Sequence, residues 1–235
     1  MALPQLNSAT YELTVPSSGD LVKYRPYLVK EEKILMLALE SSSDKQILNA
    51  TADIINACTF GAVDASKLPM VDLEYIFLKL RSKSVGESTR VGLKCSECQS
   101  ANEVSINLES VEPVFSNNVE NKIQLTDEIG IVMKLPTVSD MQKNTKKDQS
   151  ELDTVFAVMI SSIDSVYDAE NVYPAVDSTY EELMEFLESL NQEQFGKVQK
   201  WFESMPKLSH EVKFMCTNCQ HGNQMMLQGL TSFFG

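Results

Sequence analysis

In the first third of the chain, the pattern of apolar and polar residues changes from the two-residue period of a strand to the period of an α-helix. Residues 10–15 ("TYELTV") and 21–29 ("LVKYRPYLV") flank the turn sequence "PSSGD" and predict a β-hairpin. Pro26 should cut the second strand short because proline cannot donate a hydrogen bond to a sheet ladder. The dense apolar run "ILMLAL" predicts that the first helix is buried on most sides. Apolar residues at helical spacing predict three helices, over 30–41, 44–60 and 71–84.

Hairpins and helices alternate along the rest of the chain. The Ser/Asn-rich stretch 112–121 is expected to be a loop, and the polar stretch 143–151 is expected to be exposed. Ser178 and Glu181 form a capping-box pattern, and Pro206 should end the last helix. The remaining patterns predict a hairpin over 122–136, a helix over 151–163, a short hairpin over 164–177 and helices over 179–190 and 192–205.

One local pattern occurs twice, as "VGLKCSECQSANEV" at 91–104 and as "VKFMCTNCQHGNQM" at 212–225. Each copy predicts a strand, a Cys-x-x-Cys turn and a second strand, which is the knuckle of a zinc ribbon. At a constant offset of 121 residues, the matching pairs are Val91 and Val212, Leu93 and Phe214, Cys95 and Cys216, Cys98 and Cys219, Gln99 and Gln220, Asn102 and Asn223, and Ile106 and Leu227.

The repeated hairpin predicts a metal site. Two thiolates two residues apart can reach one ion, and two such hairpins complete a tetrahedral site of four sulfurs. A closed site of this kind is structural because no position is open to water or substrate. The predicted ligands of a structural Zn²⁺ are Cys95, Cys98, Cys216 and Cys219.

Other uses of the four cysteines fit less well. A disulfide framework is typical of secreted proteins, and a thioredoxin-like redox site needs one Cys-x-x-Cys at the start of a helix. An iron–sulfur cluster also accepts four cysteines, although two symmetric hairpins favour zinc. His210 and His221 lie beside the second hairpin and are expected not to be ligands, since four thiolates complete the site. Cys58 lies on the apolar face of a predicted helix and is expected in the core.

Together these elements predict an α+β protein of helical bodies and antiparallel hairpins, with both Cys-x-x-Cys hairpins joined in a zinc-ribbon-like site. However, 117 residues lie between Cys98 and Cys216, whereas a compact ribbon separates its pairs by about 15–20. Because the two knuckles must meet, we expect one compact unit with the N-terminal helices and the C-terminal helix pair around the metal. Its expected segments are a hairpin with helices (1–90), the first knuckle (91–111), hairpins with a connecting helix (112–177), and the helix pair with the second knuckle (178–235).

The net charge of −13 is unevenly distributed. Between Asp148 and Gly196 there are twelve acidic residues and no Lys or Arg, so 21 acidic and 20 basic residues remain elsewhere. This chain therefore lacks the basic footprint with which proteins bind nucleic acid. The acidic segment is either a solvated face that favours solubility or a docking surface for a basic partner.

Targeting and catalytic motifs are not found. The first residues lack the basic start and apolar core of a secretory leader, and the six-residue run "ILMLAL" is far shorter than the about 20 residues of a membrane span. We therefore expect a soluble protein of a reducing cytoplasm. The sequence has no Gly-rich phosphate loop, nucleophile elbow or His-Glu metal motif, so no enzymatic activity is expected.

Four stretches of the chain match a known family: "LVKYRPYLVKEEKILMLALES", "LPMVDLEYIFLKLRSKSVGE", the first Cys-x-x-Cys hairpin and "FESMPKLSHEVKFMCTNCQHGNQMMLQGLTSFF". They resemble the baseplate hub/assembly protein family of T-even-type contractile-tailed bacteriophages. The resemblance covers nearly the whole chain. It implies a non-enzymatic role in building the centre of the tail baseplate, by binding other tail or hub proteins, with the tape-measure protein as a candidate. It also implies assembly in the host cytoplasm, and it leaves open whether the protein stays in the virion tail.

Two other functions are weighed against this one. A zinc-ribbon regulatory protein associated with nucleic acid is disfavoured by the charge balance, and a hydrolase with paired carboxylates would need a cleft that the sequence does not indicate. The apolar C-terminal residues Leu230, Phe233 and Phe234 either anchor a partner or pack on the protein's own core.

Overall fold

The computed structural model describes residues 7–41, 43–115, 120–144 and 150–233. Its strand pairs are all antiparallel, and the mixture of helices and antiparallel sheets confirms the predicted α+β class. In chain order the elements are β1 (Tyr11–Thr14), β2 (Leu21–Tyr24), α1 (Val29–Glu40), α2 (Asp44–Cys58), α3 (Met70–Ser84), β3 (Ser88–Lys94), β4 (Ala101–Asn107), β5 (Glu112–Val114), β6 (Lys122–Gln124), β7 (Gly130–Met133), α4 (Val138–Asn144), α5 (Glu151–Ser161), β8 (Ile163–Tyr167), β9 (Val172–Pro174), α6 (Tyr180–Glu188), α7 (Gln192–Ser204), β10 (Lys207–Met215) and β11 (Gly222–Gln228).

The contacts divide the chain into two compact units. Unit 1 comprises Met1–Val114 and Lys207–Gly235, and unit 2 comprises Phe115–Pro206. This division differs from the expected single unit, in which the helix pair α6 and α7 was placed beside the N-terminal helices. Both helices belong to unit 2, because their apolar faces pack against the β-sheet of the middle segment.

The chain leaves unit 1 and returns to it at neighbouring positions. Val114, at the end of β5, pairs with Lys207, at the start of β10. Unit 2 is therefore an insertion between two adjacent strands, where domain insertions are well tolerated. The sequence analysis missed β5 and expected a loop over 112–121, because a three-residue strand with a central proline has no alternating pattern. Residues 116–119 of that expected loop lie outside the described residues.

Helix α3 is the centre of unit 1. The side of this helix that carries Lys79 is buried. Lys79 is 7% exposed, and its ammonium group donates to the backbone oxygen of Glu109 at 2.8 Å and to Glu112 Oε1 at 2.9 Å. These bonds satisfy a cation that would otherwise be costly to bury. The face predicted to be apolar is at most 1% exposed and consists of Leu73, Ile76, Phe77 and Leu80.

Helix α1 differs from its prediction. The apolar run was expected to be buried on most sides, but only Glu31, Leu35 and Ala38 of this helix are buried. Glu31 accepts hydrogen bonds from Arg25 Nη2 at 2.9 Å and from the Leu28 backbone at 2.8 Å. Its own burial would raise the pKa of Glu31, but these bonds outweigh burial and lower it. One side of α1 packs on the unit while the other faces solvent.

Unit 2 is built around the four-stranded sheet β6-β7-β8-β9, with both predicted hairpins present. Its helices α5, α6 and α7 were predicted, whereas α4 was not; residues 145–149 of the polar stretch 143–151 lie outside the described residues. Its buried core consists of Ile123, Leu125, Ile131, Met133, Met159, Ile160, Ile163, Leu183, Leu187, Val198 and Trp201.

The capping box of α6 lies one residue later than predicted. Thr179 Oγ1 accepts from the Glu182 backbone N–H at 3.2 Å, and Glu182 Oε2 accepts from the Thr179 backbone N–H at 2.7 Å. Ser178 and Glu181, the predicted pair, have the same spacing and similar chemistry. Ser178 instead ends the short turn Ala175–Asp177, and its backbone N–H donates to the Ala175 oxygen at 3.3 Å.

The burial of Phe233 and of Cys58 can be compared with what the sequence led us to expect. Phe233 is fully buried, and its backbone oxygen accepts from Arg81 Nη1 at 3.2 Å, so this residue packs on the protein's own core. Phe234 and the side chain of Leu230 lie outside the described residues. Cys58 is fully buried, as predicted, and burial raises the pKa of its thiol to about 11.

In the described ranges, no helix is both long and apolar enough to cross a membrane.

Replacing the central aromatic of unit 1 should destabilise the protein. Phe77 is fully buried and stacks on Tyr27 with ring centroids 6.3 Å apart. We expect Phe77→Ala to lower the free energy of unfolding by about 3–5 kcal/mol through lost burial and a residual cavity. The matched control Phe60→Ala removes a side chain that is 62% exposed and should change stability little. Urea unfolding measures both, and equal effects would contradict the described core.

Candidate metal centre

Two β-hairpins of unit 1 carry the repeated cysteine pattern, and they share one geometry. The seven residue pairs of β3 and β4 recur in β10 and β11 with the same offset of 121 residues. The pair Leu93 and Asn102, for example, corresponds to the pair Phe214 and Asn223. The sequence repeat is therefore a structural repeat down to the register of the strands.

The turns between the strands are also the same. In the first, the Cys95 backbone N–H donates to the Ser100 oxygen at 2.9 Å, and the Gln99 N–H donates to the Cys95 oxygen at 3.0 Å. The corresponding donors Cys216 and Gln220 make bonds of 2.9 and 3.0 Å. Gln99 and Gln220 have φ angles of 60° and 59°, a left-handed conformation that costs a non-glycine residue about 1 kcal/mol. Because this strain recurs at equivalent positions, the turn geometry itself requires it.

These turns bring four sulfur atoms together. The Sγ atoms of all four predicted ligands lie within 4.8 Å of one another. Two of the contacts join one hairpin to the other: Cys95 to Cys219 at 3.7 Å, and Cys98 to Cys216 at 3.6 Å. All four cysteines belong to unit 1.

The spacing of the sulfur atoms fits a single metal ion. A disulfide would need an S–S distance of about 2.05 Å, so the cysteines are free thiols. Metal–sulfur bonds of about 2.3 Å in tetrahedral geometry place the sulfurs about 3.8 Å apart, close to the 3.7 and 3.6 Å between the hairpins. A cluster of several ions between the thiols would hold them further apart. The cysteine group is therefore compatible with one tetrahedral metal ion.

Two buried asparagines connect the hairpins around the sulfurs. Asn102 Oδ1 accepts from the Thr217 backbone N–H at 2.8 Å and from Thr217 Oγ1 at 3.0 Å. Asn223 Oδ1 accepts from the Ser96 backbone N–H at 2.9 Å and from Ser96 Oγ at 3.0 Å. Each asparagine thus holds the turn of the opposite hairpin.

The same asparagines also donate towards sulfur. Asn102 Nδ2 lies 3.7 Å from Cys216 Sγ, and Asn223 Nδ2 lies 3.5 Å from Cys95 Sγ. Both receiving cysteines are fully buried, and the asparagines are 4% and 5% exposed. Each amide therefore contacts a sulfur of the opposite hairpin as well as its turn. The sequence analysis aligned Asn102 with Asn223 but assigned them no role, because their partners lie across the interface between the hairpins.

Hydrogen bonds and neighbouring sulfurs shift the pKa of three thiols. Ser100 Oγ lies 2.7 Å from Cys98 Sγ and lowers the pKa of Cys98 to about 5. The backbone N–H of Cys219 lowers the pKa of Cys216. The backbone of His221 also favours the thiolate of Cys219, but lost hydration and the neighbouring sulfurs outweigh it and raise that pKa to about 12. A bound cation would favour all four thiolates together, and metals bind the thiolate form.

The histidines take no part in the cysteine group. Among the described residues, the group of possible metal ligands contains four cysteines and neither His210 nor His221. His221 contributes its backbone oxygen, which accepts from Cys216 at 2.9 Å and from Asn223 Nδ2 at 3.0 Å. His210 lies on β10, paired with Leu227.

The insertion of unit 2 explains the long spacing between the cysteine pairs. Of the 117 residues between Cys98 and Cys216, the 92 residues Phe115–Pro206 form unit 2 and leave 25 in unit 1. A separation of 25 residues is close to the about 15–20 of a compact zinc ribbon. Unit 1 therefore contains a ribbon-like pair of knuckles whose connection carries a second folded unit.

One known protein family matches this chain over almost its full length. The chain matches the family described as T4 bacteriophage base plate protein over residues 8–235. It therefore belongs to the T4 bacteriophage base plate protein family, and this membership indicates a structural role in the phage tail. Neither the curated proteins nor the solved structures that were compared with it gave a match.

The bracing asparagines should contribute measurably to stability. Asn102→Ala removes a buried side chain together with its two hydrogen bonds from Thr217 and its bond to the Ser100 oxygen, and we expect a loss of about 1–3 kcal/mol in the free energy of unfolding. Asn223→Ala should behave alike because its contacts repeat those of Asn102. Asn218→Ala is the control, since this exposed side chain makes one 3.7 Å contact to Cys98 Sγ. Urea unfolding would contradict the bracing role if all three variants lost the same small amount.

Proposed function

We propose that this protein is a structural component of the phage baseplate hub that acts by binding other tail proteins, and that a structural Zn²⁺ holds its two cysteine hairpins together. The family match over residues 8–235 is the observation that carries the baseplate role. The four clustered sulfurs carry the metal role.

The donor set favours zinc over other ions. Four cysteine thiolates in tetrahedral arrangement are the ligands of structural zinc sites, whereas magnesium and calcium take oxygen ligands. Cys95, Cys98, Cys216 and Cys219 would fill all four positions, so the ion would supply stability and no catalysis. The amides of Asn102 and Asn223 would support this role by orienting the ligands from outside the site.

The zinc content and its dependence on the cysteines can be measured directly. We expect about one zinc ion per chain in protein purified without added metal. Cys95→Ser should remove most of this zinc and destabilise unit 1, because binding energy at such a site is folding energy. Cys58→Ala removes the cysteine outside the group and should leave the zinc content unchanged. Metal-free wild-type protein with four reactive thiols and unaltered stability would contradict the zinc site.

The electrostatics support a partner other than nucleic acid. A site of four thiolates and one Zn²⁺ carries a net charge of about −2, and the whole chain carries −13. Both charges repel phosphate, so the alternative of a zinc-ribbon regulator of nucleic acid lacks support.

The acidic segment supplies one surface for protein partners. The acidic side chains of α6, including Glu181, Glu185 and Glu188, are exposed in unit 2. Other acids of the segment have local roles: Glu182 caps α6, and Asp168 accepts from the backbone N–H groups of Glu170 and Asn171 at 2.8 and 2.7 Å. The exposed glutamates can steer a basic partner, and solubility alone would also account for them.

The proposal further places the protein in the host cytoplasm during tail assembly. Its partners would be other baseplate hub proteins, and the tape-measure protein is a candidate among them. No catalytic step is proposed.

In unit 2, a pocket of about 500 Å³ is lined mainly by apolar side chains, with Lys134 and Asp164 as its charged residues.

A phage carrying an amber mutation in the gene for this chain tests the baseplate role. We expect tails to be absent or defective in a non-suppressing host, because the hub could not be completed. Expression of the wild-type chain from a plasmid should restore infectious particles, and Cys58→Ala should do so equally well.

Mass spectrometry of purified tails and tail intermediates completes this test. A component of the baseplate should be found in mature tails, whereas an assembly factor should be found in intermediates alone. Normal tails in the absence of the chain would contradict the proposed function.

A further inference from the structure

Helix α1 presents an apolar face to solvent. Ile34, Met36, Leu37 and Leu39 are 46%, 57%, 58% and 40% exposed, whereas Leu35 and Ala38 are each 6% exposed. The helix therefore packs through Leu35 and Ala38 on one side, exposes Met36 and Leu37 on the opposite side, and carries Ile34 and Leu39 on its two flanks. Exposed apolar stripes of this kind mark interaction surfaces.

The exposed stripe is symmetric about its own midpoint. Residues 33–40 read "KILMLALE", and the sequence positions pair about the point between Met36 and Leu37. The pair Ile34 and Leu39 and the pair Met36 and Leu37 have matching exposure. With about 100° of rotation per residue, the midpoint direction of Met36 and Leu37 lies opposite to that of the buried Leu35 and Ala38. The symmetry point thus faces straight out to solvent.

The charges at the two ends of the stripe are opposite. Lys33 and Glu40 are both exposed, and within the described residues neither takes part in an ion pair. Each lies about 5 Å along the axis from the midpoint, at a rise of about 1.5 Å per residue. They lie on the same outward side of the helix as Met36 and Leu37.

We propose that α1 is a dimerisation surface whose partner is α1 of a second copy, packed antiparallel about a two-fold axis between Met36 and Leu37. A two-fold interface requires a self-complementary surface, in which residue i meets residue j and residue j meets residue i. This arrangement sets Lys33 of each copy against Glu40 of the other and brings Met36 and Leu37 of both copies together at the centre. A parallel arrangement would set Lys33 against Lys33 and is disfavoured.

The size of the surface predicts a weak dimer. A stable interface buries about 800 Å² on each partner, which is more than a single helix face of three turns supplies. The net charge of −13 on each copy also opposes association. The dimer should therefore depend on protein concentration over the micromolar range.

Sedimentation velocity of the full chain between about 1 and about 200 µM tests the proposal. We expect the dimer fraction to rise with concentration in the wild type. Leu37→Asp should raise the dimer dissociation constant at least about tenfold. Val176→Asp is the matched control, since Val176 lies in unit 2 and is 88% exposed, and it should leave the dissociation constant unchanged.

Charge reversal distinguishes this geometry from other interfaces. Lys33→Glu alone and Glu40→Lys alone should each weaken the dimer, because like charges then meet twice. The two single variants mixed together should associate again, and so should the double variant Lys33→Glu with Glu40→Lys. Each substitution suits the dipole of α1, so a weakened dimer would not reflect an unfolded helix. Circular dichroism checks that the helix content is retained.

The proposal is overturned by any of three results. The wild type could be monomeric at every concentration, which would leave α1 free for a different protein. The dimer could be unaffected by Leu37→Asp, which would place the interface elsewhere. The mixed charge variants could fail to associate while each is folded, which would exclude the antiparallel pairing.

Discussion

The meeting of two cysteine hairpins is the contact on which the rest of unit 1 depends. The hairpins are 121 residues apart in sequence, yet their sulfur atoms lie within 4.8 Å of one another. Joining them closes a long loop, but the entropy cost of closure rises only slowly with loop length. The two shared asparagine bridges and the pairing of β5 with β10 add contacts that do not depend on a metal. A proposed zinc ion would add its binding energy to these contacts.

This geometry separates two tasks along the chain. Unit 1 contains the cysteine group, the central helix α3 and the exposed stripe of α1. Unit 2 enters and leaves at the paired residues Val114 and Lys207, so it can fold around its own sheet and core without changing the cysteine hairpins. It also carries the exposed glutamates of α6. For a baseplate protein, such an insertion would present a second surface to partners while the cysteine hairpins of unit 1 stay intact.

The sequence predicted what is set by local chemistry. The clustering of the four cysteines was predicted because the Cys-x-x-Cys hairpin has a fixed spacing and its repeat identified both halves. The buried face of α3 followed from its helical period. The asparagine bridges were not assigned, because the bonds of Asn102 and Asn223 run between hairpins and leave no local spacing signal. The capping box of α6 was placed one residue early, because Ser178 and Thr179 offer the same chemistry to successive glutamates.

Other features depend on tertiary contacts. The apolar run of α1 predicted burial, but no element of the described chain covers Met36 and Leu37, and a one-dimensional pattern does not tell a core from an interface. The division into units was missed because β5 is too short to show a pattern. The exposed run of α1 coincides with the surface that we propose for dimerisation, as expected where binding and not folding has shaped the sequence.

Hydrogen exchange with and without a metal chelator tests the central claim most directly. If one metal ion joins the hairpins, its removal should speed amide exchange in β3–β4 and in β10–β11 together, while β7 and β8 of unit 2 keep their protection. Loss of protection in one hairpin alone, or in neither, would contradict a metal shared by Cys95, Cys98, Cys216 and Cys219.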